Sequence, residues 1–205
     1  LFWHIMSRES KVSELADEYL RINSGALLRI DHVSIEKAVG ILHSTRGLGA
    51  IYTVGNGGSA STAEHFASDI NKWANFGYEH PQLLRAIGLN CNLPEISALT
   101  NDSGWDKVYL DAIKPHRLSE NDAIVAFSVH GGKGQDKAGL WSQNITGLLD
   151  YARKVGAKTV GIAGFDGGAF KELCDACIIV PSESTIVVEG LHCVVHHTLV
   201  DMLRR

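Results

Sequence analysis

Apolar residues recur at helical spacing from Ser10 to about Leu42 (Val12, Leu15, Tyr19, Ile22, then Leu27, Leu28, Ile30, Val33, Ile35, Val39, Ile41, Leu42) without strand-like alternation, which predicts two leading helices within residues 10–45. Beyond them the period changes. Five short β-rich apolar runs, Ala50 to Val54, Leu83 to Leu89, Ala123 to Ser128, Lys158 to Ala163 and Ala176 to Pro181, alternate with helix-length segments. Those segments are Ser59 to Trp73, one or two pieces between Leu93 and Ile113, Gly139 to Val155, a short one near Ala169, and a closing helix from about Thr185 to Leu203. Such alternation predicts an α/β fold, with a five-stranded parallel sheet covered by helices on both faces. Ligands of such sheets sit beyond the carboxyl ends of the strands, so the loops after Val54, Phe127, Ala163 and Val180 are the places to look for function.

Composition narrows the class. The 205 residues fit one domain at about 100–200 residues each, so 1–205 is read as a single unit. Leu1 to Ile5, ahead of Met6, lack the layout of a secretory signal and are set aside from the fold. Lys and Arg number 19 against 23 Asp and Glu, with no basic block to neutralise a row of phosphates, so no nucleic-acid partner is expected. No uninterrupted apolar stretch approaches the roughly 20 residues that cross a bilayer, and no membrane association is expected. Four scattered cysteines do not make a disulfide framework, which points to the cytoplasm, and Cys174 and Cys177 read as core residues because they lead into the apolar run Ile178 to Val180.

The first strand ends in Gly55-Asn56-Gly57-Gly58-Ser59 and a helix follows at once. Glycines let the backbone turn tightly and approach a ligand, and the positive end of the helix suits an anion. The third strand ends similarly, in Ser128-Val129-His130-Gly131-Gly132-Lys133. Neither loop is a dinucleotide fingerprint or a Walker loop, so a sugar phosphate is favoured and no nucleotide cofactor is expected. On the helix after the first loop, His65 and Asp69 stand four apart and share a face. The closing helix is apolar nearly all round yet carries Glu189, His192, His196 and His197, which in a buried helix must be paired, metal-bound or facing a cavity.

Gly-Asn-Gly-Gly-Ser joined to Ala63-Glu64-His65-Phe66-Ala67, then Asn101-Asp102-Ser103-Gly104-Trp105, the Ser128 loop, and Glu189-Gly190-Leu191-His192 with His197 and Asp201 resemble the SIS (sugar isomerase) domain, over about residues 10–205. Within it the chain is most similar to the phosphoheptose (sedoheptulose 7-phosphate) isomerases. The resemblance implies a flavodoxin-like three-layer sandwich, a homotetramer built partly by the leading helices, active sites shared between subunits, and aldose–ketose isomerisation through an enediol. Matched position by position, it implies Asp69 and His197 as catalytic residues. Asn56, Gly57, Gly58, Ser59, Asp102, Ser128, His130, Lys133, Thr185 and Glu189 fall on substrate or phosphate positions, and His65, Asp69, Glu189 and His197 on ligands of a divalent ion, expected to be zinc.

Several positions depart from the family pattern. Its Ser-Thr-Ser-Gly-Asn-Ser loop is replaced by 128–133, the catalytic Glu is shortened to Asp69, the Gln ligand becomes Glu189, and Ile186 stands where an acidic residue is common. A different, longer or modified sugar phosphate, or a non-catalytic adaptor or sensor, are the competing readings. Helical geometry also leaves a choice open, because Glu189 and His196 differ by only about 20° around a helix and Glu189 and His197 by roughly 80°. The family spacing selects His197.

Overall fold

The computed structural model describes residues 2–77, 82–136 and 139–205, with side chains described in 11–77, 82–135 and 140–205. Two helices lead, α1 (Phe2–Leu27) and α2 (His32–Ser44), the latter capped by Asp31, whose carboxylate accepts from Val33 N and Ser34 N. The helix α1 is unbroken from Phe2, so residues 2–5, set aside above, are part of it; no proline occurs in the span and its glycine comes only at Gly25.

The chain then runs β1 (Ile51–Gly55), α3 (Gly58–Asp69), β2 (Ala86–Gly88), α4 (Leu93–Ser103), α5 (Val108–Ile113) and β3 (Ala123–Ser128). Two short strands that pair antiparallel follow, β4 (Gln135–Asp136) and β5 (Gly139–Leu140), and then α6 (Gln143–Val155), β6 (Lys158–Gly164), α7 (Phe170–Leu173), β7 (Ala176–Val180) and α8 (Thr185–Arg204). The helix expected from Gly139 begins only at Gln143, because Ser142 adopts a left-handed conformation that interrupts any earlier turn. The strand expected over Leu83 to Leu89 narrows to Ala86–Gly88, and α3 passes into a π-helical turn at Ile70–Ala74.

The main sheet is parallel throughout, in the order β2-β1-β3-β6-β7. Alternate strand residues feed two cores. Ile51, Val125, Phe127, Val160 and Ile178 pack with Leu42, Phe66, Ile70, Val188 and Leu199 from α2, α3 with the π-helical turn after it, and α8. On the other face Tyr52, Val54, Ile124 and Ala126 pack with Tyr109, Ile113, Ile145 and Leu148 from α5 and α6. The helix α8 is long and apolar enough to cross a membrane, but its apolar face, from Val187 and Val188 to Leu199 and Leu203, is buried, which marks it as a core helix. The order reverses between β1 and β3, so the loops after Gly55 and Ser128 meet at the switch point, where such sheets bind ligands.

Candidate functional site

The turn after β1 is built on backbone freedom. A Cβ on Gly55 would lie 2.3 Å from Ser59 O, and Gly57 takes a φ of 56°, so the chain doubles back into α3 only with glycines there. A closed set of amides holds this turn. Asn56 and Asn144 exchange hydrogen bonds of 3.0 Å in each direction, and the Tyr109 hydroxyl donates to Gly55 O at 2.8 Å. Asn90 donates to Gly55 O and accepts from Gly55 N. Burial of the Tyr109 phenol, partly offset by Asn90, raises its pKa to about 12, so it stays a neutral donor. The Asn56 side chain, expected at the substrate, is committed to this lock.

A cleft of about 260 Å³ opens where the two loops meet, lined by Asn56, Ser59, Phe127, Ser128, Val129, His130, Trp141, Ser142 and Glu189. The Ser128 and Ser142 hydroxyls lie 3.3 Å apart, and His130 lies against both Trp141 and Phe165, with ring centroids 4.6 and 4.5 Å away. Of the expected phosphate-loop side chains, Ser59, Ser128 and His130 therefore share this cleft. Lys133 does not. Gly132 and Gly134 take positive φ, and Lys133 Nζ pairs with Asp166 Oδ2 at 2.6 Å in a neighbouring hollow with Phe165 and Glu183. Asp102, at the end of α4, is exposed and hydrogen-bonded by Asn101, and Thr185 is exposed at the start of α8; neither lines the cleft.

The helices α3 and α8 pack along their length, and their register distributes the titratable residues. Glu189 lies against Gly58, at the positive start of α3, and Thr62 meets Cys193 at 3.7 Å. Further along, three imidazoles converge on one oxygen. Asp69 Oδ2 is 3.3 Å from His65 Nε2, 3.5 Å from His196 Nε2 and 3.3 Å from His197 Nε2. His197 Nδ1 must donate to the Cys193 carbonyl, 2.8 Å away, which aims Nε2 at Asp69.

Asp69 and His196 are buried, whereas His65 and His197 are about half exposed and border a hollow of about 230 Å³ with Trp73, Val200, Asp201 and Arg204. Burial first, then the neighbouring His197 and His65, lower the His196 pKa to about 4 against the pull of Asp69, so it is neutral. Of the expected ligand set, His65, Asp69 and His197 are brought together and Glu189 is not. The reason is geometric, since Glu189 stands about two helical turns up α8, beside the cleft. His196, which the family spacing passes over, takes part instead. Trp141, Ser142, Asn144 and Tyr109 were also missed as site residues. Only Asn144 carried a signal, as an amide entering an apolar helix.

Residues 26–164 match the family described as the SIS domain. The chain is 40% identical over 155 residues to the lincomycin biosynthesis protein LmbN of Streptomyces lincolnensis, spanning 54% of that protein and 74% of this chain. It is 33% identical over 157 residues to a phosphoheptose isomerase of Helicobacter pylori, covering 77% of this chain and 75% of that one. The structure of phosphoheptose isomerase GmhA from Neisseria gonorrhoeae shares the fold, with a TM-score of 0.78, 22% identity and coverage of 95% and 97% of the two chains.

Proposed function

The chain belongs to the SIS domain family, and we propose that it is an aldose–ketose isomerase of a sugar phosphate, converting sedoheptulose 7-phosphate to a heptose 7-phosphate through an enediol. The observation that carries this reading is the convergence of His65 and His197 on the buried carboxylate of Asp69. Aldose–ketose isomerisation must move one proton between adjacent carbons and another between their oxygens, which calls for a base and an acid side by side.

In the proposed reaction Asp69 removes a proton from the hydroxymethyl carbon. The C–H electrons become the C=C bond of the enediol while the carbonyl oxygen takes a proton from His197 Nε2. Asp69 then returns its proton to the former carbonyl carbon, and the other hydroxyl gives its proton back to His197 as the new carbonyl forms. The Cys193 carbonyl keeps His197 oriented for both transfers. The same nitrogen and carboxylate donors would suit a divalent ion such as zinc, with His65, Asp69 and His197 among its holders; His197 Nε2 would then hold the ion in place of a proton, and the ion would supply the polarisation of the substrate oxygens that the imidazolium supplies without it.

Ser59, Ser128 and Ser142 offer hydroxyls for the phosphate in the cleft. Ser59 and Asp69 are ten residues apart on one helix, about 15 Å, and the Thr62–Cys193 contact fills the space between α3 and α8. A substrate reaching both therefore uses the cleft of one chain and the cluster of another, in keeping with the shared sites expected of a homotetramer. An interface is available on α1, where Val12, Leu15, Tyr19 and Ile22 are exposed at helical spacing. Light scattering should then give a mass of about four 22.2 kDa chains.

The replaced loop at His130 and Lys133 and the likeness to LmbN favour a second reading, a different phosphorylated sugar of a biosynthetic pathway. Incubation with sedoheptulose 7-phosphate and a panel of longer and shorter ketose phosphates, with aldose formation followed, separates the two. Conversion of none of them would overturn both.

A further inference from the structure

We propose that His196 is a ligand of the divalent ion, so that the ion is held by His65, Asp69, His196 and His197 while Glu189 takes no part. This inference rests on the metal reading above. His196 is fully buried, and neither of its ring nitrogens has a hydrogen-bond partner. Its ring is 4.0 Å from that of His197 and 4.7 Å from that of His65, so imidazole packs on imidazole with no acceptor between them but the one carboxylate oxygen they share. A buried polar atom left unpaired is costly, and a cation among these four donors would engage Nε2, leaving only Nδ1 without a partner.

The spacing agrees. A tetrahedron with metal–ligand bonds of about 2.0–2.1 Å has edges of about 3.3–3.4 Å, and the three imidazole nitrogens stand 3.3, 3.5 and 3.3 Å from Asp69 Oδ2. All four donor atoms lie within 4.8 Å of one another, so small side-chain rotations close the remaining edges. The hydrogen bond from His197 Nδ1 to the Cys193 carbonyl is the outer contact that orients a metal-binding imidazole. Glu189, held against Gly58 at the other end of the α3–α8 contact, is out of reach within the chain.

Cobalt(II) is the probe, because its visible absorption reports the number and kind of ligands independently of turnover. The metal-stripped full-length protein, titrated with Co²⁺ against a competing chelator, should take up one ion per chain with the intense visible bands of a four-coordinate site. His196→Leu should weaken binding by at least about 100-fold and change the bands. Glu189→Gln should leave affinity and bands within about twofold of the parent. Without metal, His196→Leu should melt no lower than the parent, since leucine relieves the unpaired imidazole. If that variant does not fold, His196→Asn carries the same titration. Unchanged affinity and bands in the His196 variant, or their loss in Glu189→Gln, overturns the assignment. Failure of the parent to bind Co²⁺ at all overturns it together with the metal reading, whereas the isomerase reading is judged separately by conversion of the sugar phosphates.

Discussion

The carboxylate of Glu189 lies against the backbone of Gly58, so closely that a Cβ built on that glycine would stand 2.9 Å from Oε1 and 3.3 Å from Oε2. The contact sets a carboxylate at the start of α3, where the helix end favours negative charge, and on the wall of the cleft that also holds Ser59 and Ser128. Gly58→Ala should therefore displace Glu189 without disturbing the fold, because the atoms met are the far end of a flexible side chain. The melting temperature should hold or rise slightly, since alanine suits a helix better. KM for the sugar phosphate should rise about tenfold, or about 1.4 kcal/mol of binding. Steady-state kinetics beside a thermal melt check both halves.

Asp69→Asn keeps the shape of a buried side chain and removes its ability to take a proton. It should lower kcat by about 10²- to 10⁴-fold with little change in circular dichroism or oligomer mass. Turnover near the parent rate would remove Asp69 from the proposed mechanism.

Asn144→Ala breaks the reciprocal amide pair with Asn56 and leaves Ile145 N without its side-chain acceptor. Stripping partners from a buried polar set costs about 1–3 kcal/mol. In a chain of this size that lowers the melting temperature by about 3–10 °C, which differential scanning calorimetry can measure.

His192 gives the stability a defined acid limb. It is buried beside Phe127, and burial lowers its pKa to about 4, the Ala163 backbone opposing. An unfolded histidine titrates near 6.5, so between about pH 6.5 and 4 the unfolded chain binds more protons than the folded one. This contribution is therefore intact above about pH 6.5 and is lost as the pH falls towards 4. Urea unfolding at about pH 7 and about pH 4.5 should show His192→Leu losing less stability on acidification than the parent, by up to about 3 kcal/mol.

The patterning of the chain determined the layers. Runs such as Ala123 to Phe127, apolar at every position, read as strands buried on both faces, and the intervening helical periods call for parallel crossovers. The glycine turn after β1 and the pairing of His65 with Asp69 were legible for the same local reason, since both depend on residues within a few positions of one another. Everything that depends on two distant segments was settled by packing. Helical geometry in sequence could relate Glu189 to His196 or His197, but only the register of α8 against α3 sends Glu189 to the cleft and His196 and His197 to Asp69. Lys133 reads as a phosphate ligand, and the left-handed glycines around it turn it to Asp166; Asn56 reads as a ligand group, and it lines the cleft with its amide engaged by Asn144, 88 residues away. Local spacing fixes which residues share a face; side-chain packing between elements, with the hydrogen bonds that buried polar groups require, decides what that face meets.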